Sequence, residues 1–189
     1  MKKIALSLLS CFFLTGCVLG SMKPFFTPDL VVDTPELYGT WAYEKTVEPN
    51  DKSYVVLAPG KITLVDDSGI PGDSKLTFFK VGDQLFVDLF PDEGMLRNDL
   101  VGPGDPVHLV CLVQHENGKL LFNPLDYEWL VKEIQAGTID LPFKKASEDP
   151  EANIVLTATP EQWVGFLKSY ANNPQAFPHS NEGWLIRKE

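Results

Sequence analysis

Six side chains in this sequence are thiols or imidazoles, able to act as nucleophile, base or soft ligand: Cys11, Cys17, Cys111, His108, His115 and His179. No H-E-x-x-H, C-x-x-C or G-x-S-x-G spacing gathers them. His108 and His115 have opposite parity, so in one strand they point to opposite faces and cannot share a metal ion. Nucleophile–base pairs assemble in space. His108 beside Asp88 is the pair from which one would start; the alternative is a hydrogen-bonded strand histidine. Asp66, Asp67 and Asp73 bracket a Gly/Pro loop but lack the spaced oxygens of an EF-hand loop. They read as turn carboxylates. No Gly-rich phosphate loop is present, so no catalytic residue, metal or cofactor is assigned.

Cys17 stands apart because of what precedes it. Lys2 and Lys3 open the chain, an apolar run follows from Ile4 to Leu14, and Leu14-Thr15-Gly16-Cys17 closes it. A positive region, a short apolar region and a small-residue site form the pattern of an export signal. The run is too short to cross a bilayer core as a helix, which takes about 20 residues. The four closing residues resemble the lipobox of bacterial lipoproteins. That resemblance implies cleavage before Cys17 by signal peptidase II, with diacylglycerol on the sulfur and an N-acyl chain on the new terminus. Two or more acyl chains hold a protein firmly on a membrane. In the Gram-negative sorting rule Asp after the lipidated Cys favours the inner membrane. Val18 stands there, which implies an outer-membrane protein facing the periplasm if the source is Gram-negative.

Residues 1–16 are thus expected to be a signal peptide, residues 17–36 a lipidated Cys and tether, and residues 37–189 one β-rich domain. The whole chain carries a net charge of −10, and removal of Lys2 and Lys3 makes the remainder more acidic. No basic stripe exists to meet phosphates, so nucleic acid is not an expected partner. Cys111 would be the one remaining free thiol, so no intramolecular disulfide is available to the mature chain. Leu109 and Val113 beside it favour a buried thiol that packs as a small hydrophobe. The tether holds Gly20, Ser21, Pro24, Pro28 and Pro35 and could reach ~60 Å fully extended. Its apolar residues Phe25, Phe26, Leu30, Val31 and Val32 suggest that part of it docks on the body.

From Leu37 the pattern is mainly β. Strands are predicted at 39–43, 53–57, 61–65, 75–81, 84–90, 107–114, 119–122, 153–158 and 183–188. Gly82-Asp83 and Asn117-Gly118 suit tight hairpins. The stretch 107–113 is apolar on both faces apart from His108, which implies a strand covered on both sides, by a barrel or sandwich core and by a helix. Two helices interrupt the strands. Asp126 can cap one over 127–136. Thr159, Pro160 and Gln162 form a capping box for the second, whose Trp163, Phe166, Leu167 and Tyr170 make one apolar stripe. The fold class expected is mainly β (α+β): an antiparallel β-barrel or strongly curved sheet with two helices. The loop 91–106 is long and holds Met95, Leu96, Leu100 and Val101, consistent with a lid or a loop folded onto its own barrel.

Gly39-Thr40-Trp41 on the first strand, with Arg187 in the last, resembles the lipocalin and calycin signature. There a Trp closes one barrel end and a basic residue packs over it. An indole is a large plug, and a guanidinium can stack on it while bonding carbonyls. The succession Pro-Val-His-Leu, Pro-Leu-Asp-Tyr-Glu-Trp-Leu, Leu-Thr-Ala-Thr-Pro-Glu-Gln and Asn-Pro-Gln-Ala-Phe is similar to a class of uncharacterised bacterial lipoproteins over about 37–187; no function comes with that resemblance.

Trp41, Phe78, Phe86, Phe90 and Trp129 could line an apolar pocket of the kind that holds small apolar ligands, or pack the core. The leading functional expectation is a non-catalytic binding or assembly role in the cell envelope, with an envelope protein as partner. A lipocalin-like carrier of a small apolar ligand is the alternative, and a hydrolase comes third.

Overall fold

In the computed structural model, residues 20–44, 53–91, 107–145, 154–179 and 183–188 are described. The signal segment, Cys17 and the loop 92–106 lie outside them. Successive hairpins generate the architecture. Strands β1 (Gly39–Tyr43), β2 (Tyr54–Ala58), β3 (Lys61–Val65), β4 (Pro71–Val81), β5 (Gln84–Pro91), β6 (Leu109–Glu116) and β7 (Lys119–Pro124) each pair antiparallel with the next. The chain then leaves the barrel through α1 (Tyr127–Gln135), the short strands β8 (Phe143–Lys145) and β9 (Ile154–Leu156), and α2 (Pro160–Tyr170). It returns as β10 (Leu185–Arg187), which inserts between β7 and β1 and closes an eight-stranded barrel. The mainly β fold with an antiparallel barrel and two helices is as expected from the sequence.

Local signals place the elements. Asn117 and Gly118 both have positive φ, the geometry of the two-residue hairpin that joins β6 to β7. Asp126 accepts from the Trp129 amide at the head of α1. Thr159 and Gln162 close the capping box of α2. Strand β4 is longer than predicted: it starts at Pro71, because β3 continues its register through Thr63↔Asp73 to Val65↔Pro71.

Alternation along the strands splits the apolar side chains into two cores. Trp41, Val55, Leu57, Ile62, Leu76, Phe78, Val87, Cys111, Val113, Leu120 and Leu185 fill the interior. The interior of an eight-stranded barrel is just wide enough for side chains to fill it. The alternate residues Phe79, Val81, Phe86, Val110 and Leu112 face outward into a second core with α1, α2 and β9. This is the two-sided burial that the apolar run at 107–113 implied.

Residues 20–32 do not hang free as a tether. They form a strap pinned between the barrel wall and α2. Phe25, 2% exposed, packs on the Trp163 ring at 4.3 Å between centroids. Burial of one such side chain stabilises by ~1.5–3 kcal/mol. At its far end Val32 donates to the Phe78 carbonyl, on a stretch of β4 beyond the reach of β3. Gly20 begins it: a Cβ there would sit 2.8 Å from the His108 carbonyl oxygen and closer still to the Val107 side chain. No described helix is long and apolar enough to cross a membrane.

Candidate functional site

The densest polar arrangement lies on the outer wall where β5, β6 and the strap meet. Register puts Phe86, Asp88 and Phe90 of β5 on that outer face, with Asp88 opposite Val110. Asp88 is buried at 3% exposure. One of its oxygens lies 2.7 Å from His108 Nδ1 and the other accepts from the Phe25 amide at 3.0 Å. A buried carboxylate is tolerated only where its lone pairs are satisfied, and here a ring nitrogen and a strap amide do so. The Phe90 ring packs on the His108 imidazole, 4.8 Å between centroids.

The pair singled out in the sequence is thus brought together, in the arrangement that orients a catalytic imidazole. Beside the pair lies Ser21, whose backbone exchanges both hydrogen bonds with that of His108. Ser21 Oγ, however, accepts from the Trp163 indole at 2.8 Å and from the Lys23 amide at 3.1 Å, and the residue is wholly buried. Substrate has no access to that oxygen. The Asp88–His108 pair acts as a clasp: it holds Phe25 and, through the backbone, Ser21.

His115 lies on the opposite, inner face and meets the Trp41 ring edge-on at 6.3 Å, as parity required. His179 contacts Gln114 through Nδ1. Among the described residues no group of three or more His, Cys, Asp and Glu is placed to hold a metal ion. Asp66 accepts from the Ile70 amide within its own turn. Asp73 bonds Lys61 and Thr63, which hold its carboxyl below the usual carboxylate range, Lys61 most of all. Cys111 is buried in the interior; burial, with the Asp88 charge behind the wall adding to it, pushes its thiol up to about 12.

The aromatic residues expected to line one pocket do not come together. Trp41 and Phe78 lie inside the barrel, whereas Phe86 packs outward against Phe79 and Phe177. Trp129 meets Phe166 at a tilt and Tyr170 edge-on on the helices, and Phe90 covers His108. The reason is register. Phe78 and Phe79 are consecutive and both apolar, and Phe86 pairs with Phe79, so it takes the outer face.

Trp41 and Arg187 do meet. They are cross-strand partners, and the guanidinium lies 4.7 Å from the indole centroid. It donates to the carbonyls of Tyr38 at 2.9 Å and Glu36 at 2.6 Å. The Trp41 indole donates to the Leu37 carbonyl. Gly39 has φ +137°, and a Cβ there would come within 2.6 Å of an Arg187 nitrogen. The Gly of G-x-W is therefore favoured by its backbone conformation, and a side chain there would displace the Arg187 guanidinium. Beside this plug Tyr38 donates to Asp33 at 2.6 Å, and that bond raises the phenol above its ordinary range.

Docking of the apolar part of the strap was expected from the sequence, but its partners on β5, β6 and α2 were not. Its Ser21 and Phe25 carried no periodicity, and the one available signal was the apolar content of a Pro-rich stretch. Comparison with family models, with curated proteins and with solved structures finds no match.

Proposed function

We propose that this protein is an exported bacterial lipoprotein, held on a membrane by the diacylglycerol and N-acyl chain of Cys17, and that its barrel is a non-catalytic binding or assembly module of the cell envelope. In a Gram-negative cell, Val18 after the lipidated residue favours the outer membrane, facing the periplasm. The observation that carries the non-catalytic reading is the occupation of both faces of the barrel wall. Side chains from Trp41 to Leu185 fill the inside, and the strap and helices cover the outside at β4–β6. What remains for a partner is exposed surface, which fits an envelope protein better than an enclosed small molecule. The Ser21 hydroxyl beside the Asp88–His108 pair is buried and already has two donors, which argues against its use as a hydrolase nucleophile.

The test is native mass spectrometry of residues 20–189 exported behind an ordinary secretory signal. The expected result is the bare polypeptide mass. A stoichiometric apolar molecule that co-purifies would favour the carrier reading. The start at residue 20 matters, because Gly20 and Ser21 belong to the folded body.

A further inference from the structure

We infer that the body does not reach out from its anchor but lies on the lipid surface in one orientation, with the barrel end that carries β8 facing the membrane and Phe143 entering the headgroup region. This rests on the reading of Cys17 as the lipidated residue. The strap carries the inference. Ser21 is fixed to His108 at one end of the barrel and to Trp163 of α2. It follows Cys17 by four positions, so the free leash is at most ~14 Å even fully extended.

The surface beside that point combines an exposed aromatic with exposed cations. The Met22 amide bonds the Leu156 carbonyl, and Leu156 pairs with Phe143 across β8–β9. Phe143 is therefore two strand spacings from the strap, ~10 Å. It is 44% exposed, and Lys23 and Lys145 nearby are exposed as well. A phenyl ring with flanking long-chain cations suits the bilayer interface, where the ring enters and the ammonium groups stay at headgroup level. Glu148, Asp149 and Glu151 follow in the sequence, so the contact rests on the ring and the short leash, not on net charge. The hairpin at Gly82-Asp83 closes the other end of the barrel, with the run of β5 from Phe90 to Asp83 spanning ~24 Å.

The experiment uses the full chain, processed in cells and placed in nanodiscs of phosphatidylethanolamine and phosphatidylglycerol with some headgroup-spin-labelled lipid. A fluorophore is attached at Lys145→Cys or at Asp83→Cys. Both positions are exposed, and Cys111 is too buried to compete. Incorporation of labelled palmitate is read on the same samples. The expected result is palmitate in both variants, with quenching several-fold stronger at 145 than at 83. Palmitate with equal quenching, or stronger quenching at 83, overturns the orientation and leaves the lipid reading standing. Absence of palmitate overturns the lipid reading and the orientation with it.

Discussion

The indole N–H of Trp163 donates to Ser21 Oγ at 2.8 Å, joining two buried residues 142 positions apart in the chain. This bond ties the first residues of the described body to its last helix, on the outer side of the barrel wall. Ser21→Ala leaves the indole donor buried without a partner, which costs ~1–3 kcal/mol. Trp163→Phe loses the same bond together with packing against Phe25. Because both changes break one contact, the double variant should lose less stability than the sum of the single variants. Urea unfolding of the four proteins checks this; additive losses would mean that the bond carries no coupling.

Gly20 should not tolerate a side chain. A Cβ 2.8 Å from a backbone carbonyl cannot be relieved by a rotamer change. Gly20→Val is expected to lift the start of the strap from Val107–His108 and to open the chain at buried Phe25 to chymotrypsin, while the barrel keeps its far-ultraviolet spectrum. Limited proteolysis timed against the parent protein measures the effect.

Arg187→Ala removes a cation over Trp41 and two donors to carbonyls, an expected loss of ~1–2 kcal/mol at this exposed site. Arg187→Lys should recover little of it, because one ammonium cannot match a planar fork aimed at two oxygens. Denaturant midpoints, followed by tryptophan emission, distinguish the two variants.

Cys111 gives a pH dependence of definite sign. In the folded chain its thiol is raised from an ordinary value of 9.0 to about 12. Below pH 9 the folded and unfolded chains both hold the proton, and the contribution to stability is fully present. Between pH 9 and 12 the unfolded chain gives up a proton that the folded chain keeps, so stability falls as pH rises. Cys111→Val should remove that part of the slope. Urea midpoints measured from about pH 8 to 11 for both proteins check it.

The barrel was largely legible in the sequence because its hairpins carry local chemistry. Asn117-Gly118 marks one turn, and Gly82-Asp83 another. The caps at Asp126 and Thr159 are equally local and appear where the side-chain oxygens place them. The Trp41–Arg187 pair could be anticipated through the resemblance that Gly39-Thr40-Trp41 and Arg187 carry, and the two side chains meet as cross-strand partners. The supposed pocket failed for a non-local reason. Phe78 and Phe79 offer the same apolarity to both faces, and only the pairing of Phe79 with Phe86 decides which ring goes inside. The docking of the tether's apolar residues was expected, but where they dock was not legible, for a similar reason. Ser21 and Phe25 are buried by partners at positions 88, 108 and 163, far along the chain.

On the proposed reading, the clasp, the filled barrel and the short leash take their cellular meaning from one covalent event at Cys17. Intact-mass spectrometry of the mature protein purified from membranes tests it most directly. The account predicts a chain that begins at Cys17 and carries the added mass of a diacylglycerol and an N-acyl chain, both absent from Cys17→Ser. A mature chain that begins at another residue, or one that begins at Cys17 with no lipid mass, would contradict it.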